Sequence, residues 1–209
     1  MVYNPKIHHR RSIRLKGYDY SRPGLYFITI VVRNRLHLFG SIENGIMILN
    51  DAGRMVFEEW QKIPRRFSNT RLHSFQIMPN HFHAILEIIS SATTVGPTLV
   101  VGPIVVEGQS QEEKGQPQGV APTTDNPTDS IPTGNSPKKK VLGDMVGAFE
   151  SITTVEYIRG VKTKDWQPFE KKLWQRNYWE HIIRNEKEYR RISQYIINNP
   201  KKWSEDRLK

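Results

Sequence analysis

The stretch Asn80-His81-Phe82-His83-Ala84-Ile85-Leu86 is where residue types first suggest chemistry. Its apolar, β-prone composition reads as a strand, in which side chains two apart share a face and their neighbours turn away. His81 and His83 then stand side by side, with Phe82 directed into the core. Two imidazoles so placed either share one metal ion or are ordinary strand histidines; His37 and His73 have no comparable context. The chain has no cysteine, so disulfides and thiolate metal sites are excluded and any metal is held by nitrogen and oxygen. An ion held by two neutral histidines keeps positions open for water and for a phosphate oxygen, which is what a Lewis-acid catalyst requires.

A third ligand is needed, and the C-terminal run Tyr195-Ile-Ile-Asn-Asn199-Pro200 offers one. Positions i and i+4 of a helix are neighbours, so the Asn199 carbonyl oxygen can lie beside the Tyr195 phenol. Such oxygen ligation suits Mg²⁺ or Mn²⁺. Alternatively, Tyr195 packs in the core and Asn199 closes the helix before Pro200. The residue before a proline is pushed away from helical geometry, so Asn199 is expected to deviate from its ideal helical position. A tyrosine titrates near 10 when unperturbed, and a nearby cation would favour its phenolate; Arg184 and Arg191 are the candidates nearest in sequence.

The elements that must position these residues are legible in outline. Leu25 to Val32 follows the Arg22-Pro23-Gly24 turn signal and is rich in β-branched and aromatic residues, which predicts a strand. A hairpin or loop follows around Gly40 to Gly45, and Asn50-Asp51 caps a helix through Met55, Val56, Phe57 and Trp60 that ends near Pro64. Ser74 to Met78 and Phe82 to Ile88 read as β segments separated only by Pro79-Asn80-His81, either a tight turn or the break in one interrupted strand pair. Leu142, Met145, Val146, Phe149 and Ile152 have helical spacing within Val141 to Gly160. A last helix starts near Asn185, carries Tyr189, Ile192, Tyr195 and Ile196 on one face, and stops at Pro200. This order predicts an α+β sandwich with helices packed on an antiparallel sheet.

Between Ser91 and Pro137 the character changes, with seven of the 13 prolines, six of the 14 glycines and no aromatic residue. The composition predicts a disordered insertion in a single domain spanning 1–209. Its near-duplicate hexamers, Val95 to Val100 and Val101 to Val106, are too few for a solenoid; they read as a short duplication in a tolerant loop, or as a hairpin. The insertion carries five acids against Lys114, a net of −4, so of the chain's +10 the remainder holds +14. That concentration favours a polyanionic partner. Arg10, Arg11, Arg14 and Lys16, beside Tyr18 and Tyr20, mix cations with aromatics as binding to phosphates and unstacked bases requires. Trp166, Trp174 and Trp179 either stack on bases or pack the C-terminal helices. Neither a signal-peptide pattern nor a run of roughly 20 apolar residues is present, so a cytoplasmic protein is expected, with no membrane partner.

Met78-Pro-Asn-His-Phe-His-Ala-Ile, followed far downstream by Trp174-Gln-Arg-Asn-Tyr-Trp-Glu-His-Ile-Ile-Arg-Asn-Glu-Lys-Glu-Tyr189 and Gln194-Tyr-Ile-Ile-Asn-Asn-Pro200, resembles the REP-associated tyrosine transposases, relatives of the single-tyrosine insertion-sequence transposases. The resemblance covers the chain apart from the low-complexity insertion. It implies a ferredoxin-like sandwich whose central antiparallel sheet carries the His-hydrophobic-His motif, with a helix laying the tyrosine over it. By that likeness His81 and His83 are metal ligands, Tyr195 is the nucleophile and Asn199 the third ligand, where relatives commonly have glutamine. The implied activity is metal-dependent cleavage and rejoining of hairpin-bearing single-stranded DNA through a 5′-phosphotyrosine, at the nucleoid. Arg10, Arg11, Arg14 and Lys16 become the expected DNA contacts, and the resemblance leaves monomer and homodimer open. Two rivals stand beside it: a phosphohydrolase completing its metal centre with Glu87, and a DNA-binding protein that has lost catalysis.

Overall fold

The computed structural model describes residues 14–15, 17–90 and 141–209, so the insertion 91–137, Arg10, Arg11 and Lys16 lie outside the described residues. In chain order the strands are β1 Gly24–Val31, β2 Gly40–Glu43, β3 Ile46–Leu49, β4 Thr70–Ile77, β5 His81–Ile88 and β6 Trp179–Ile183. The helices are α1 Asp51–Gln61, α2 Ile63–Arg66, α3 Leu142–Thr163 and α4 Glu186–Asn198, with a C-terminal 3₁₀ segment at Pro200–Glu205. Strands β4, β5, β1 and β6 lie in that order in one sheet, and every neighbouring pair is antiparallel. With the β2–β3 hairpin set aside, the sequence β1-α1-β4-β5-α3-β6 is the split βαβ pair of a ferredoxin-like sandwich. The expected α+β class is borne out.

Local chemistry explains most boundaries. Asn44 and Gly45 both adopt positive φ, 51° and 75°, the requirement of a two-residue hairpin turn between β2 and β3. The Asn50 side chain accepts from the Gly53 amide at 2.8 Å, and that of Asn185 accepts from the Glu188 amide at 2.9 Å, so both expected helix starts are capped. Strand β4 begins at Thr70, four residues before the expected start, and a register shift between Leu72 and Phe75 interrupts its ladder. Strand β6 was not anticipated: Trp179-Glu-His-Ile-Ile183 has no turn signal before it and runs almost directly into the Asn185 cap.

The two faces of the sheet carry different cargo. One face packs Ile28 and Ile30 of β1, Phe75 of β4 and Phe82 and Leu86 of β5 against Val56 and Trp60 of α1 and Met145 and Phe149 of α3. Trp60 lies 4.9 Å from the Phe82 ring and 5.2 Å from that of Phe149, both edge-on, and each buried side chain of this size contributes about 1.5–3 kcal/mol. On the opposite face a smaller cluster of Ile85, Ile183, Ile192 and Ile196 seats α4. Trp174 belongs to the large core and donates its indole N–H to Thr153 Oγ1 at 2.9 Å, and Trp166 packs over Gly160. Among the described residues no helix is long and apolar enough to cross a membrane.

Candidate metal and tyrosine site

The smaller face of the sheet carries the chemistry, and strand register sets the arrangement. Gln76, His83, Thr29 and Trp179 lie in one row across β4, β5, β1 and β6. His81 and His83 alternate with Phe82, as a strand demands: both imidazoles stand on the α4 side while Phe82 enters the large core. Their ring centroids are 4.6 Å apart, and the residues are 0% and 2% exposed, so water cannot satisfy them.

Hydrogen bonds behind each ring fix which nitrogen faces the site. The Asn80 amide nitrogen donates to the carbonyls of Leu208 at 2.7 Å and Arg35 at 3.3 Å. Its oxygen is therefore the acceptor for His81 Nδ1–H at 2.7 Å. Thr29 Oγ1 lies 2.8 Å from His83 Nδ1 and can hold that ring in the same tautomer. Both Nε2 lone pairs are then available to a metal, and such supporting bonds orient ligating histidines generally. Burial lowers the pKa of both imidazoles: His81 falls to about 4, with Asp206 and Asn199 opposing the shift, and the charge His81 would carry lowers His83 further. Both rings are therefore neutral at physiological pH, the form in which an imidazole can ligate a metal.

Helix α4 crosses this face with Ile192 and Ile196 buried beneath it. One turn earlier Tyr189 Oη meets His73 Nδ1 at 3.1 Å, and His73 Nε2 meets Glu87 at 2.9 Å, a chain that ties α4 to β4 and β5. Tyr195 Oη then lies 3.4 Å from Nε2 of His83 in the same chain. The Tyr195 ring leans edge-on against Phe27 at 6.1 Å, yet the residue is 46% exposed, so it is not a core tyrosine. Asn199 retains helical angles (φ −56°, ψ −42°) despite preceding Pro200, because the chain continues directly into a 3₁₀ turn; the expected deviation does not occur. Its side chain is buried and its Oδ1 has no hydrogen-bond partner.

One contributor escaped the sequence reading. Beyond the 3₁₀ segment, Asp206 brings Oδ2 to 3.6 Å from His81 Nε2, with its side chain only 5% exposed. One ligand atom from each of His81, His83 and Asp206 falls within 4.8 Å of the others, so the trio could hold a metal ion. His81 Nε2, Asn199 Oδ1 and Asp206 Oδ2 are all buried without hydrogen-bond partners. Three such atoms in one place represent a desolvation cost that a bound cation would offset, and two imidazoles with oxygen donors suit Mn²⁺ or Mg²⁺. Glu87, the carboxylate of the hydrolase reading, shares the His83 face but is engaged by Arg71 at 3.0 Å and by His73. Asp206 was invisible in sequence because its proximity depends on the tail folding back, through the Asn80 contact to Leu208.

Among the described residues no cation lowers the pKa of the phenol: burial raises it first, then the Asp206 charge, and only the neighbouring Asn199 amide opposes them. Arg191 instead approaches Glu188, at 3.8 Å. A cavity of about 490 Å³ opens in front of Tyr195, lined by Phe27, Trp179, Lys202 and Arg207 among others.

Arg14 is not brought to this site. Its Nη2 donates to Tyr178 Oη at 2.7 Å, and its Nε lies 3.9 Å from Glu180, whose side chain faces the opposite side of the sheet from Trp179. Nearby, burial outweighs Arg14 and Lys172 and pushes the Glu150 carboxyl up to about 7, against 4.5 unperturbed. As pH falls from 7 toward 4.5 the folded state takes up a proton that the unfolded chain does not, so this group adds stability on acidification. Glu150→Gln is therefore expected to stabilise the fold by about 1–3 kcal/mol at pH 8 and to change little at pH 5. Urea melts at the two pH values check this; equal effects at both would contradict it.

No family model matches the chain. A solved structure of a REP-associated tyrosine transposase bound to a REP hairpin superposes with a TM-score of 0.51 at 18% identity, covering 91% of this chain and 74% of that one. That likeness shows a shared transposase-like fold. An uncharacterized protein of Haemophilus influenzae (strain ATCC 51907 / DSM 11121 / KW20 / Rd) is 40% identical over 206 residues, 99% of this chain and 96% of that protein. At that identity over nearly the full length of both, the chain belongs to the same family as the Haemophilus influenzae protein.

Proposed function

We propose that this protein is a metal-dependent enzyme that cleaves and transfers single-stranded DNA through a covalent link to Tyr195. The observation that carries the reading is the placement of Tyr195 Oη 3.4 Å from His83 Nε2, beside the His81, His83 and Asp206 cluster. In it His81 and His83 bind Mg²⁺ or Mn²⁺, with oxygen from Asn199 as third ligand and from Asp206 as a further one. When bound, the ion supplies Lewis-acid polarisation of a phosphoryl oxygen. Tyr195 Oη forms a bond to phosphorus as the bond from phosphorus to the 3′-oxygen breaks. The phenol loses a proton and the departing 3′-hydroxyl gains one, so a 5′-phosphotyrosine remains and can be attacked by another strand end.

Residues 1–209, interrupted by the insertion 91–137, form one such domain in this reading. One chain supplies both histidines and the tyrosine, so a monomer suffices for cleavage. A hairpin-bearing strand is the proposed partner, supported by the fold shared with a transposase whose own structure contains a REP hairpin. The net charge of +10 and the cations of the N-terminal stretch, Arg10, Arg11, Arg14 and Lys16, support a nucleic-acid partner at the nucleoid.

The test is incubation with Mn²⁺ or Mg²⁺ and labelled hairpin-bearing single-stranded DNA, followed by a denaturing gel. A protein–DNA adduct, absent in chelator, is expected. Cleavage with no adduct would point to hydrolysis at the same histidines, and hairpin binding without cleavage to a DNA-binding remnant.

A further inference from the structure

We infer that Trp179 is the stacking platform for an unpaired nucleobase next to the scissile phosphate, and so a determinant of single-strand selectivity. The inference rests on reading the site as one for single-stranded DNA, and its observations lie beyond the metal and tyrosine residues. Trp179 is 59% exposed, whereas Trp60 and Trp174 are 0% and 4% exposed and serve the core. Its strand, β6, is the edge of the sheet, so no further strand covers the indole among the described residues.

Register aims that exposed ring at the chemistry. Trp179 pairs with Thr29, and Thr29 pairs with His83 and contacts its Nδ1. Two inter-strand spacings place the Cα of Trp179 roughly 10 Å from that of His83. Trp179 lines the same 490 Å³ cavity as Phe27 and Tyr195, and Lys202 and Arg207 add cations to its wall. Aromatic faces with nearby cations are what a strand needs to stack a base while its phosphates are neutralised. A base within a duplex has both faces covered by its neighbours and cannot use the platform. Selectivity for an unpaired nucleotide therefore follows from geometry without any hydrogen bond to a base edge.

The experiment measures binding in chelator, so that it does not depend on cleavage. Wild type, Trp179→Ala and Trp179→Phe are titrated with oligothymidylate, an abasic oligomer of the same length and a duplex. Trp179→Ala is expected to bind oligothymidylate about ten-fold more weakly, with abasic and duplex affinities unchanged and Trp179→Phe close to wild type. Equal affinity of Trp179→Ala and wild type for oligothymidylate would overturn the inference. So would an equal loss on the abasic oligomer, or a changed oligomeric state with unchanged affinity, which would make Trp179 a contact between copies. A wild type that shows the stacking pattern yet forms no adduct with metal would sustain Trp179 as the single-strand stacking platform while removing the catalytic reading.

Discussion

Tyr195→Phe is expected to eliminate the protein–DNA adduct, a loss of at least about 10³-fold, while the protein folds and binds DNA nearly as before. Phenylalanine has no oxygen to bond to phosphorus, so no residual covalent route through this position survives. The fold should tolerate the change because Tyr195 is 46% exposed and its ring keeps the same edge-on contact with Phe27. A stability change within about 0.5 kcal/mol is expected, as for other substitutions that leave the core intact. DNA affinity should fall by no more than the loss of one hydrogen bond, about 1 kcal/mol or roughly five-fold. Denaturing gels, thermal melts and a binding titration on the same preparations separate these effects. Cleavage that persists in Tyr195→Phe without an adduct would transfer the account to hydrolysis, and an adduct that persists would require another nucleophile.

The second large effect concerns the ion. His81→Ala and His83→Ala are each expected to weaken Mn²⁺ binding by about 100-fold or more, since each removes a donor from a buried set, and Asp206→Asn by about ten-fold or more, since it keeps an oxygen but removes the negative charge. Asn80→Ala removes no ligand, yet should cost about 10–100-fold because its side-chain oxygen orients His81. Glu87→Gln should leave Mn²⁺ affinity unchanged, because Glu87 is spent on Arg71 and His73. Calorimetric titration of the metal into each variant reads these differences, with thermal melts to exclude unfolding. Loss of binding in Glu87→Gln together with full binding in Asp206→Asn would contradict the proposed ligand set.

The fold was legible where one local signal dominated. Alternation around Phe82 placed His81 and His83 on one face, and the side chains of Asn50 and Asn185 marked two helix starts, because strand period and capping are properties of a few adjacent residues. What escaped depended on distant pairing. Strand β6 is five residues long and finds its place only by pairing with β1. The early start of β4 at Thr70 and its register shift are likewise decided opposite β5. The site divides in the same way. Spacing alone brought Asn199 and Tyr195 together, whereas Asp206 joins His81 only when the C-terminal segment folds back onto Asn80. The three tryptophans flagged together also part company: Trp166 and Trp174 pack inward, and Trp179 faces the cavity, a distinction that only its strand register supplies.

The most direct measurement is to trap the adduct with Mn²⁺, digest it with nuclease and trypsin, and locate the modified peptide by mass spectrometry. The account predicts a nucleotide remnant on Tyr195, in the peptide 192–201 that trypsin releases after Arg191 and Lys201. A remnant on any other residue, Tyr189 in the neighbouring peptide 188–190 included, would contradict it.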